Sequence, residues 1–342
     1  MRTFAFLLGQ QPDPSVGPDR VYRDLVDDAV TVEELGFDGV WVAEHHFSNY
    51  CVIPNPLTLV SALTQRTSRI RVGSAVVVVP LHNPVRVAEE IAMCDQLSGG
   101  RLEAVLGRGF QPYEFDGLGV PIGESHARFA EGLDVIPRLL REQDVSYAGE
   151  YYEFPAVTVM PRPVGDVPLW LACGSPQSVA AAVGRRMNVC LTAGVDGLGK
   201  LTGLRAAFDE ACAAEGVAAD SLRFAVQCSV AVVPDRAGAE RAVARALTVH
   251  RLGNVLRNGR EVVSGGFVDD PGPSADEPPV DTVLSSTLIG TPDVVAAKVR
   301  ELREVGITDL FMNFRFGDVA TTEVRESMRQ MAELLELQAS PA

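Results

Sequence analysis

Apolar positions along the chain switch between two periods. Phe4 to Gly9 is a short apolar run, after which Tyr22, Leu25, Val26, Ala29, Val32 and Leu35 recur at helical spacing until Gly36. Gly39 to Ala43 is the next strand, a helix follows from Leu57 to Thr67, and Ile70 to Val79 is a β-branched run. That run predicts a strand buried on both faces, as in a parallel sheet. Asn83 before Pro84 reads as an N-cap with proline at the first helical position, and Gly99-Gly100 closes that helix. Further strands are expected at Arg101–Leu106, Leu169–Ala172, Asn188–Leu191, Phe224–Val233 and Asp309–Phe314. Helices fall near 124–141, 178–183, 201–214, 236–250 and 291–305. Asp144 to Pro163 looks like a hairpin on the rim.

About eight strand/helix alternations predict an α/β fold, a (β/α)8 TIM barrel whose active face lies at the C-terminal ends of the strands. The rival is an open doubly wound sheet, which normally carries G-x-G-x-x-G after an early strand; this chain has none there. One domain over 1–342 is expected. Residues 252–286 break the rhythm with Gly265-Gly266, Asp269-Asp270-Pro271-Gly272-Pro273 and Pro278-Pro279, and they read as a mobile loop without regular elements that could cover the active face.

Composition narrows the class. At 342 residues and 46% hydrophobic, the chain is long enough for one large core, and a formal charge of −15 argues against nucleic-acid or anionic-membrane partners. The opening apolar run is cut short by Gln10-Gln11-Pro12-Asp13 and reads as a strand rather than a leader. The apolar runs stay short of the roughly 18 residues that a spanning helix needs. Six cysteines without paired spacing predict reduced thiols and a cytoplasmic protein.

Three motifs sit at expected strand ends. Glu44-His45-His46-Phe47 places two imidazoles after the second strand, where alternation lets only one face the mouth. Arg108 between Gly107 and Gly109 suits a phosphate approached closely by backbone. In Cys173-Gly174-Ser175-Pro176-Gln177-Ser178, a strand-to-helix turn offers free N–H groups and two hydroxyls to an anion. A metal bound by the histidines with Glu44, Glu114 or His126 is a weaker reading, because no recognisable spacing supplies further ligands; no metal is expected.

The segments Gly36–Phe47, Asn83–Glu90, Asp95–Leu102, Gly107-Arg108-Gly109, Gly290-Thr291-Pro292 and Val305–Thr308 resemble the luciferase-like flavin-dependent monooxygenases, in particular the catalytic α-subunit type of bacterial luciferase. The resemblance implies reduced FMN and O2, a flavin 4a-hydroperoxide, and oxygen transfer to a small organic substrate. A separate reductase would supply the reduced flavin, and a homodimer would form through the helices beside strands two and three, near Glu89 and Glu90. It puts Arg108, Gly174, Ser175 and Ser178 on the flavin phosphate and a non-proline cis bond at Ala75-Val76 beneath the ring. His45 becomes the acid/base, accompanied by His46 and Glu114, the latter in place of a family aspartate. Departures are Gly107 for a cysteine, Gln111 for a tyrosine, Thr192 or Ala193 for a tryptophan, and Asn83 for a histidine, with His82 one position away. Two alternatives keep the same barrel: hydride transfer with a deazaflavin, and a non-catalytic flavin-binding partner subunit.

Overall fold

In the computed structural model, which describes residues 1–195, 198–258 and 263–338, the strand/helix alternation closes on itself. The barrel strands are β1 (Arg2–Leu7), β2 (Gly39–Val42), β3 (Arg71–Val78), β4 (Leu102–Gly107), β5 (Leu169–Cys173), β6 (Asn188–Thr192), β7 (Phe224–Val232) and β8 (Asp309–Asn313). Neighbours in this order are parallel, and β8 returns to β1 with Asp309 opposite Arg2, which closes the cylinder. A short strand, Leu288–Gly290, adds to the far half of β7.

The helices are α1 (Pro18–Glu34), α2 (Pro56–Thr64), α3 (Pro84–Ser98), α4 (Pro112–Gly117), α5 (Ser125–Arg141), α6 (Pro176–Gly184), α7 (Leu201–Glu215), α8 (Arg236–Asn258), α9 (Val280–Ser286), α10 (Pro292–Val305) and α11 (Thr321–Leu334). Side-chain oxygens of Asn55, Asn83 and Ser175 cap α2, α3 and α6, each followed directly by proline. Apolar faces of the helices and the outward residues of the strands form the main core. The expected rim excursion is an antiparallel hairpin, Val145–Ala148 with Glu153–Val157.

Inside the cylinder a second core gathers Phe4, Trp41, Val105, Trp170, Cys190, Ala225 and Phe311. Phe4, Trp41, Trp170 and Phe311 meet at ring separations of 4.7–5.8 Å. Below them, at the N-terminal ends of the strands, lies a charged floor. Arg2 donates to Glu103 at 2.7 Å and to Asp309 at 2.6 Å, Trp170 Nε1 donates to Glu103 at 2.8 Å, and Arg223 donates to Asp309 at 3.1 Å. Arg71 also pairs with Glu103, and both carboxylates are buried.

The stretch from Leu252 to Ser286 differs from the expectation. α8 runs on to Asn258, Val263–Ser264 pairs with Phe267–Val268, and α9 occupies Val280–Ser286; residues 259–262 lie outside the described residues. The reason is the turn chemistry: Gly265 and Gly266 take φ +56° and +85°, the left-handed pair a tight hairpin needs, whereas the same dipeptide in sequence reads as a breaker. α4 and α11 also lay outside the sequence reading. All six cysteines are free and buried, and among the described residues no helix is long and apolar enough to cross a membrane.

Removing the floor carboxylate leaves Arg2, Arg71 and the Trp170 N–H without their shared acceptor. Glu103→Ala is expected to lower unfolding stability by about 3 kcal/mol, read from the urea midpoint at unchanged m-value.

Candidate active site

The aromatic plug stops short of the C-terminal ends of the strands. Phe6, Ala75, Val76 and Ala172 pack on its top and are only partly buried, so they form an apolar floor open to the mouth. The Ala75–Val76 bond is cis, as the resemblance implied. Val76 is the extra residue in the β3–β4 ladder, since Ala75 pairs with Val105 and Val77 with Leu106. Its side chain lies against Gly107, where a Cβ would come within 2.6 Å of a Val76 methyl. Glycine where the resembling family has cysteine therefore has a steric cause.

Beside this floor, Arg108 and the Gly174–Ser178 turn stand at the same end of adjacent strands, because β4 and β5 pair with Leu106 opposite Leu171. Arg108 donates to Ser125 Oγ at 3.0 Å, at the first residue of α5; Ser125 was not anticipated. Ser175 and Ser178 close a capping box, with Ser178 Oγ accepting from the Gly174 and Ser175 N–H groups at 3.1 and 3.0 Å. The two hydroxyls expected to face an anion thus first order the turn. Open space lies where a Cβ on Gly174 would sit. Burial pushes the neighbouring Cys173 thiol up to about 12, so it is a neutral packing group there.

The adjacent histidines go separate ways. His45 Nδ1 bonds Glu114 Oε1 at 2.8 Å, and the same oxygen accepts the His46 backbone N–H at 2.9 Å. Glu114 sits on α4 and is buried, so the loop after β4 fixes the imidazole that ends β2. The His45 ring meets Tyr50 edge-on at 5.0 Å and Phe110 at 6.2 Å, and Arg257 lies 5.0 Å over Phe110. Burial, with Cys51 and Glu114 nearby, pushes the Tyr50 phenol up to about 12.

His46 turns to the opposite side. Its Nε2 bonds Glu44 Oε1 at 3.0 Å, His82 Nε2 bonds the same oxygen at 2.7 Å, and the Val78 N–H donates to Glu44 Oε2 at 3.0 Å. Burial pushes the Glu44 carboxyl up, but the hydrogen bonds from His46 and His82, the His82 charge and the Val78 N–H outweigh it and hold it below the usual range. Burial pulls the His82 imidazole down, but Glu44 and the charge of Glu90 raise it above its ordinary value. The Glu44–His82 pair is therefore ionised between the lowered carboxyl value and the raised imidazole value. Glu114 and His126, weighed as further metal ligands, stand outside this cluster.

Asn49, three residues after His46, carried no sequence signal yet joins three segments. Its N–H donates to Gly266 O at 2.7 Å, its Oδ1 accepts from Val268 N at 3.0 Å, and its carbonyl accepts from Gln11 N at 2.9 Å. The late hairpin is thus tied to the loop that carries the histidines.

A family model described as luciferase-like monooxygenase matches residues 1–309. Protein y4vJ of Sinorhizobium fredii is 33% identical over 304 residues, 88% of this chain and 86% of that protein. The oxygenase component of the flavin-dependent trigonelline monooxygenase of Acinetobacter baylyi is 30% identical over 177 residues, 51% of this chain and only 49% of its own length. Among solved structures, the monooxygenase RslO1 from Streptomyces bottropensis has a TM-score of 0.85 at 25% identity, covering 98% of this chain and 99% of that one. An F420-dependent secondary alcohol dehydrogenase has a TM-score of 0.77 at 17% identity, covering 98% of each chain, a likeness of fold alone. By the extent of the family match, this chain is an oxidoreductase of the luciferase-like monooxygenase family.

Proposed function

We propose that this chain is the oxygenase component of a two-component system, using reduced FMN from a separate reductase and O2 to oxygenate a small organic substrate. The observation that carries the reading is the convergence at one barrel mouth of a guanidinium, a capped helix N-terminus, an apolar floor and a carboxylate-held imidazole. The residues fit the cofactor: an open apolar floor suits a flat ring, and a cation beside a helix N-terminus suits a phosphate. When bound, reduced FMN supplies the electrons that activate O2, so that one oxygen atom ends on the substrate and the other in water.

Arg108 and the Gln177 N–H at the start of α6 bind the phosphate, on the turn that Gly174, Ser175 and Ser178 shape and line. Ala75 and Val76 support the ring. His45 gives and takes the proton at the reacting end through its other ring nitrogen, with Nδ1 held by Glu114. His46 acts as a positioning residue, its backbone N–H and ring fixing Glu114 and Glu44. The described parts of the late segment, the end of α8 and residues 263–286, cover the mouth, the Val263–Val268 hairpin being held by Asn49. Two copies associate through the faces of α2 and α3, where Met93 and Leu97 are exposed beside Glu89 and Glu90. A deazaflavin reading has the fold likeness to the F420-dependent dehydrogenase behind it. Oxygen consumption and product formation with FMN, NADH and a flavin reductase, against substrate turnover with reduced F420 without oxygen, separates the two.

Replacing Arg108 with alanine is expected to weaken FMN binding at least tenfold, about 1.4 kcal/mol, with riboflavin binding unchanged, both measured by fluorescence titration. His45→Ala is expected to lower product turnover by about 10²–10⁴-fold while FMN affinity stays within twofold of wild type, checked by product chromatography alongside the same titration. Asn49→Ala removes the Val268 contact, and faster limited proteolysis near the hairpin together with more peroxide released per product is the expected outcome.

A further inference from the structure

Glu44, His46 and His82 present one oxygen and two nitrogens within 4.8 Å of one another, the one such group among the described residues. We propose that they hold a divalent transition-metal ion, with zinc as the fitting class, in a structural site next to the reacting pocket. The inference goes beyond the flavin reading and does not depend on it.

Four observations converge on it. The Nε2–Oε1 separations of 3.0 and 2.7 Å lie a few tenths of an ångström under the roughly 3.3 Å edges of a tetrahedron with metal–ligand bonds near 2.0 Å. Glu44 is oriented from behind by the Val78 N–H on Oε2, the outer hydrogen bond that ligating carboxylates usually carry, which leaves Oε1 for the ion. A cavity of about 10 Å³ opens on the Glu44–His82 edge of the group, bounded also by Glu90, Leu57, Val77 and Val87 with His46 outside its lining, room for a single water or ion to reach that edge. Charge is compatible with the ion: with two neutral imidazoles, a dipositive ion would face two carboxylates, the buried Glu44 and the half-buried Glu90, the latter 3.8 Å from Arg86. The mixed imidazole and carboxylate set favours zinc and its first-row neighbours over magnesium or calcium, which prefer oxygen alone.

On binding, the metal takes the place of the protons between the Nε2 atoms and Oε1: the proton carried by the His82–Glu44 pair leaves to solvent, and each imidazole ligates through Nε2 as the neutral tautomer with its remaining proton on Nδ1. Glu90 or a water supplies the fourth ligand. The ligands come from the residues on either side of His45 and from the segment after β3, so the ion clips these two strand ends together.

The test uses the full chain without a histidine tag, stripped with chelator and titrated with Zn2+ by calorimetry and with Co2+ by visible absorption. One equivalent of Zn2+ with Kd below about 1 µM, Co2+ d–d bands, and at least hundredfold weaker binding in His82→Gln are expected. No binding up to about 0.1 mM, or binding of equal strength in His82→Gln, overturns the proposal. Should that variant fail to fold by circular dichroism, a zinc-soaked crystal of the wild type decides. An anomalous peak among Glu44, His46 and His82 supports the site, and no peak there at the zinc edge overturns it.

Discussion

Because Phe4, Trp41, Trp170 and Phe311 fill the cylinder down to the Arg2–Glu103–Asp309 network, a ligand meets the barrel from the strand C-terminal end alone. The plug serves two ends at once. Its lower side hands the Trp170 N–H to Glu103, so the rings rest on a satisfied polar layer rather than on bare charge. Its upper side becomes the floor of the mouth, where Phe6 and Ala172 stay partly open. The buried ion pairs thus lie at one end of the barrel and the open apolar residues at the other, the usual division in this architecture.

Glu44 performs a comparable joining role at the mouth. One carboxylate engages the His46 ring, the His82 ring and the backbone of β3, while Glu114 takes His45 and the His46 amide. Two buried acids from different segments therefore determine where two adjacent imidazoles point. Neither acid acts alone, since the amide between the rings belongs to one and the ring beyond it to the other.

Much of this was legible in the chain. The β-branched run at Val76–Val79, the Asn83-Pro84 start and the glycines after strand ends follow from local sterics, and each barrel strand lies within about two residues of its expectation. His45, Arg108 and the Ser175 turn were legible because strand-end position is a property of sequence order. The partners Ser125, Tyr50 and Asn49 were not: Tyr50 and Ser125 meet His45 and Arg108 through irregular loops after β2 and β4 that follow no period, and the Asn49–Val268 contact spans 219 residues. The Glu44–His82 contact was hidden for the same reason: 38 residues separate them, and only the β2–β3 pairing brings them side by side. The late hairpin escaped because Gly-Gly serves both to end order and to turn it.

The contact between Gly107 and Val76 limits how the floor can be redesigned. Since a single added carbon at 107 collides with the Val76 methyls, the two positions form one volume shared across the β3–β4 groove. A larger group at one position calls for a smaller one at the other, and a library that varies them separately would discard the workable combinations. Paired exchange is the route by which this mouth changes shape while keeping its backbone.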